Sequence, residues 1–148
     1  MDSELVHSAA ARCAAPARVA FSFLADDSRL GEWALGCWGA VEAGDGLVRG
    51  RSLLDGSETF VRLVPHEPTL GVDYEVGRDP ARLERRIAAR AVPGKDVGLD
   101  PAHCLLVLSA WRPATMENDR WYQLIAAHAA EVLILRRCVE REVEVADG

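Results

Sequence analysis

From Glu117 to Glu140 the chain runs without a proline or glycine, and its apolar side chains fall on one helical stripe. Trp121, Leu124, Ile125, Val132, Leu135 and Val139 follow the i, i+3, i+4, i+7 spacing of a single face, with His128 in their midst. At about 100° per residue the whole set spans roughly a third of the circumference. Asp119, Gln123, Arg137, Glu140 and Arg141 occupy the other side. A helix this long and one-sided must be covered by a sheet, so its stripe defines the interior of the protein. The titratable His128 is the exception within that stripe.

The remaining chain supplies the sheet. Residues 4–13 read as a first strand, weakly marked because of its alanines. Pro16 opens a helix whose apolar face is Val19, Ala20, Phe23 and Leu24. A second short helix runs from about Ser28 to Trp33, capped by the Asp26-Asp27-Ser28 cluster. Turn signals then divide the chain into strands near 37–43, 47–54, 57–65 and 69–78. Val72, Tyr74 and Val76 alternate with Asp73 and Glu75, the clearest strand with one buried face. A loop to about Arg85 leads to a strand in which Ile87, Ala89 and Ala91 point opposite to Arg86 and Arg90. A long connection and a last strand at 103–112 precede the helix. The order is strand, two short helices, about six antiparallel strands and a long helix. This is an α+β fold in a single domain, 1–148, with the sheet covered on one face.

Charge and cysteine usage narrow the function. A net charge of −6, with arginines scattered among acids, argues against nucleic acid as a partner. No stretch is long and apolar enough to span a membrane, and Met1-Asp-Ser-Glu4 does not resemble a secretory signal, so cytoplasm is the expected compartment. The four cysteines are dispersed, which predicts free thiols and neither a structural zinc site nor any other metal. P-loop, dinucleotide, G-x-S-x-G and H-E-x-x-H signatures are absent, and no cofactor is expected.

Ala15-Pro16-Ala17-Arg18-Val19, then Ala25-Asp26-Asp27 and Glu32-Trp33, resemble the "aPaeVw..laD…..W" opening of the START-like or SRPBCC superfamily, the helix-grip fold. In residues the likeness covers mainly the first forty and last thirty positions; in element order it covers the chain. It implies a curved antiparallel sheet wrapped around the long C-terminal helix, with a cavity between them for a hydrophobic or aromatic small molecule. Alanine stands at position 20, where relatives often carry tryptophan. Members of the superfamily include polyketide cyclases, lipid carriers and chaperone regulators. The resemblance accordingly implies a ligand-binding protein with cofactor-free, polyketide cyclase-like chemistry, a non-catalytic carrier, or a protein-interaction module.

On this fold His128 either faces the cavity, as ligand partner or proton shuttle, or is a core histidine bonded to a strand. Glu131, within i, i+3 reach of it, is expected to face solvent. Tyr74 points inward and needs a partner for its hydroxyl. Arg112 faces in if Cys104, Leu106, Leu108 and Ala110 do, and would then receive a carboxylate or phenolate. His128, Tyr74 and Arg112 are thus the candidate catalytic residues. Candidate ligand contacts are Trp33, Val72 and Val76, Leu106 and Leu108, and the helix residues Trp121, Leu124, Ile125 and Val132. Trp38 and Trp111 are expected in the core or at the rim, and Glu58 and Arg62 on the outer face. An exposed edge strand makes a homodimer an expected arrangement.

Overall fold

The computed structural model describes residues 5–147, so the expected strand start at residue 4 lies outside the described residues. Seven strands form one antiparallel sheet: β1 (Val6–Cys13), β2 (Trp38–Glu42), β3 (Leu47–Arg51), β4 (Glu58–His66), β5 (Gly71–Gly77), β6 (Glu84–Pro93) and β7 (Cys104–Trp111). Their spatial order is β1-β7-β6-β5-β4-β3-β2, a meander from β2 to β7 with β1 added beside β7. Helix α1 (Ala17–Leu24) and two 3-10 turns, Asp27–Glu32 and Leu35–Cys37, lie between β1 and β2. The long helix α2 spans Asn118–Asp147, seven residues beyond the end read from periodicity. An Arg137–Glu144 ion pair at 2.8 Å ties its last turns together, and Glu142 reaches Arg29 at 2.6 Å.

Pro65 does not end β4, which continues to His66. Pro65 pairs with Val72 of β5, whereas β3 reaches only as far as Arg62 on the other side. The missing N–H therefore faces no strand, the one setting in which a sheet tolerates proline. The segment to Arg85 likewise ends early, because β6 already begins at Glu84. The register slips between Tyr74–Ile87 and Glu75–Arg85, leaving Arg86 as the extra residue of a bulge. A bulge bends its strand and re-aims the extra side chain.

One face of the sheet carries Val61, Val72, Tyr74, Ala89, Leu106 and Leu108, all buried. Against it sit Phe21, Phe23 and Leu24 of α1 and Val132, Leu135 and Val139 of α2. Gly31 lets the first 3-10 turn rest on β2, since a Cβ there would come within 2.2 Å of the Ala40 nitrogen. That contact holds Trp33 inside, 3% exposed. The stripe read for α2 is largely buried, although Leu124 and Ile125 are only half-buried. Glu140 is not simply a surface acid: it accepts a hydrogen bond from the Ala14 N–H at 2.9 Å and closes the end of β1. No described helix is long and apolar enough to cross a membrane.

Candidate functional site

Between the N-terminal half of α2 and strands β4 to β7 lies a cavity of about 850 Å³. Its inner wall is mostly apolar: Trp33, Val61, Val76, Leu108, Trp121 and Leu124. It runs outward to the exposed β5–β6 loop and the β7–α2 connection, where Arg78, Arg82 and Glu117 form the rim. Three polar side chains stand on the inner wall: Tyr74, His128 and Glu131.

His128 is 4% exposed, and among the described residues neither ring nitrogen has a hydrogen-bond partner. A core histidine bonded to a strand is therefore not what the fold contains. Its imidazole stacks on that of His7 from β1, ring centroids 6.4 Å apart and planes 18° from parallel. Burial, reinforced by the neighbouring His7, lowers the His128 pKa to about 4. The ring is neutral at physiological pH.

Glu131 departs from the expectation of a solvent-facing residue: it is 6% exposed and lines the cavity. It lies about 80° from the centre of the apolar stripe, on the side covered by the Leu35–Cys37 turn. Helical periodicity carries no trace of that cover. The Leu35 N–H donates to its Oε2 at 2.8 Å. Burial raises the Glu131 pKa to about 7, against the opposing effect of hydrogen bonds from the Leu35 and Gly36 backbone. His128 Nε2 and Glu131 Oε1 are 3.8 Å apart, too far for a hydrogen bond. An ion pair would raise the histidine pKa and lower that of the acid, and both shifts run the other way. The pair is thus a neutral base beside a carboxyl group that exchanges its proton near pH 7.

Tyr74 points inward, but its hydroxyl donates to the Leu24 carbonyl at 3.2 Å, tying α1 to β5. Burial, with a smaller contribution from the charge of Glu131, raises its pKa well above the ordinary phenol value. The edge of its ring meets Trp33 at a centroid distance of 5.9 Å. Tyr74 is a wall residue whose hydroxyl proton is engaged by the Leu24 carbonyl.

Arg112 is displaced more completely. Cys104, Leu106, Leu108 and Ala110 do face in, yet Arg112 falls just past the end of β7. Its guanidinium donates to the Met116 carbonyl at 2.7 Å and to Asn118 Oδ1 at 2.8 Å, pinning the connection to α2. It does not line the cavity. Nor do Val72, Leu106, Ile125 and Val132, of which Ile125 is half-buried and the other three are buried in the packing. Trp33, Val76, Leu108, Trp121 and Leu124 do line it. Trp111 reaches the wall while its Nε1 donates to the Arg85 carbonyl at 3.0 Å, whereas Trp38 is 39% exposed on the edge strand β2. Glu58 and Arg62 face outward, near Arg49 and Glu75 respectively.

The residues that sequence reasoning missed are His7, Arg86, Arg120 and the inward aspect of Glu131. Arg86 is brought to the cavity by the β6 bulge, where strict alternation had turned it outward. Among the described residues no group of three or more His, Cys, Asp and Glu side chains is placed to hold a metal ion.

No family model matches the chain, and no curated protein matches it in sequence. Solved structures match it closely in fold. The Zhui aromatase/cyclase from Streptomyces sp. R1128 superposes with a TM-score of 0.69 at 18% identity, over 97% of this chain and 98% of that one. A START superfamily protein from Mycobacterium smegmatis gives 0.61 at 13% identity, over 96% and 99%. The di-domain aromatase/cyclase BexL of the BE-7585A biosynthetic pathway gives 0.64 at 14% identity, over 91% of this chain and 46% of that one. The chain has the START-like helix-grip fold.

Proposed function

We propose that this START-like protein binds an apolar or aromatic small molecule in the cavity between sheet and long helix, and that His128 with Glu131 handles a proton of that ligand. The observation that carries this reading is a buried histidine on the wall of an apolar cavity with no internal hydrogen-bond partner among the described residues. A ligand hydroxyl or carbonyl in the cavity gives that imidazole a hydrogen-bond partner. Neutral His128 accepts a proton, and Glu131, poised near pH 7, supplies or takes one beside it. A flexible ligand folded into this space undergoes cofactor-free ring closure or loss of water, a reading in keeping with two structural relatives that are named as aromatase/cyclases.

Non-catalytic carriage is the second reading, and one observation favours it. Tyr74 is committed to Leu24 and Glu131 to the Leu35 turn, so two of the three polar groups that could move a proton are already engaged by the fold. Native mass spectrometry of the purified protein, followed by titration with aromatic ligands, tests both readings. A co-purifying hydrophobic molecule, or binding that His128→Ala weakens by about tenfold while the melting temperature stays within a few degrees, supports the cavity. Turnover lost in the same variant separates the enzyme from the carrier. A protein that binds nothing across a lipid and aromatic panel has neither function.

A further inference from the structure

The outer part of the cavity differs from its apolar inner wall. Four arginines line it, Arg78, Arg82, Arg86 and Arg120, although the chain as a whole is acidic. Two of them are accounted for by the fold: Arg78 pairs with Asp55 at 2.7 Å, and Arg82 lies 3.8 Å from Asp79. Arg86 and Arg120 keep donor capacity for a ligand. The Arg86 Nε lies 3.4 Å from Glu84 Oε2, an acid 66% exposed, but it makes no hydrogen bond among the described residues although it is buried. Arg120 has no acid within 4.0 Å among the described residues; its field reaches Asp55, which Arg78 already holds.

Two arginines thus line one space, Arg86 from the β6 bulge and Arg120 from the first turn of α2. They are near enough for Arg120 to oppose the charge on Arg86, whose pKa is lowered chiefly by burial and further by that neighbour. Neighbouring like charges, one of them partly desolvated, destabilise the unliganded protein unless an anion comes between them. The contrast with Arg112 is informative, since every strong contact of that guanidinium is made to the fold itself.

We propose that Arg86 and Arg120 form a carboxylate-binding subsite at the open end of the cavity, so that the ligand is an apolar or aromatic acid. Its ring or chain lies against Trp121 and Leu108, and its carboxylate sits between the two guanidinium groups, which present forked donors of the right shape. A monoanion suits the site, because Glu84 already offsets part of the positive charge. This inference rests on the cavity being a ligand site and adds the chemical class and orientation of what it holds.

The test compares 1-pyrenebutyrate with its neutral amide, by fluorescence titration of the wild-type protein, Arg86→Gln, Arg120→Gln and the double variant. The acid is expected to bind the wild type at least about tenfold more tightly than the amide, with the gap narrowing as salt is added. Each single variant reduces that preference, and the double variant abolishes it while amide affinity stays unchanged, which also shows that the fold is intact. Equal binding of acid and amide by the wild type, or a gap that survives in the double variant, overturns the subsite and leaves the cavity reading standing. If neither compound binds, the cavity reading falls and the subsite with it.

Discussion

Replacing His128 with glutamine stabilises the protein relative to wild type as the pH falls from 6.5 to 4, and replacing Glu131 with glutamine does the opposite. The two residues lie on the same wall, and their pKa values are shifted in opposite directions, His128 to about 4 and Glu131 to about 7. For His128 the unfolded chain binds its proton below about pH 6.5, while the native state refuses it until about pH 4. Its contribution is present above that window and is lost as the pH falls through it. For Glu131 the native state takes up a proton near pH 7 and the unfolded chain only near 4.5. Its contribution is full below 4.5 and is lost as the pH rises toward 7. Each effect is on the order of 3 kcal/mol, and in the wild type they largely cancel between pH 4.5 and 6.5. Urea unfolding of the three proteins at several pH values shows the cancellation directly. Difference curves of opposite slope are expected; parallel curves would mean that one or both side chains are solvated. His7 faces the pair from β1 and Tyr74 from β5, and neither is altered in this design.

Trp121→Ala is expected to cost about 3–5 kcal/mol, the usual range for removing a large aromatic from a packed interior. The side chain is 1% exposed and forms part of the cavity wall, so its removal both takes away packing and enlarges the cavity. Its indole Nε1 is buried without a hydrogen-bond partner among the described residues. Trp121→Phe therefore loses ring area but also removes an unsatisfied donor, and it falls well short of the alanine cost. Denaturant midpoints for the two variants measure the difference. Equal losses would mean that the indole N–H, rather than the ring, dominates at this position.

The fold was legible because its two strongest signals are local. The α2 stripe and the alternation of Val72, Tyr74 and Val76 are set by each element's own period, and both survive in the structure. The site was less legible, for reasons that particular residues make plain. Arg86 lies where a bulge breaks the period-two rule, and a bulge leaves no composition signature at Arg85-Arg86. Glu131 is covered by a turn 96 residues earlier in the chain, a contact to which neither segment's pattern refers. Arg112 follows the expected inward run of β7, but the strand stops one residue too soon. Tyr74 was placed correctly, and only its partner, the Leu24 carbonyl, was beyond reach.

The long helix has one further consequence, for how anything enters. Its C-terminal half is seated by Val132, Leu135 and Val139, each 3% exposed or less. Its N-terminal half instead fronts the cavity through Trp121, Leu124, Ala127 and His128, and Leu124 is only half-buried. One continuous element thus contains two levels of local stability, and the weaker belongs to the turns that cover the pocket. Backbone amides around 121–128 are expected to exchange with deuterium faster than those around 132–139, and to slow when a ligand fills the space. Entry to the pocket would then be timed by the fraying of a few helical turns, while the rest of the molecule stays folded.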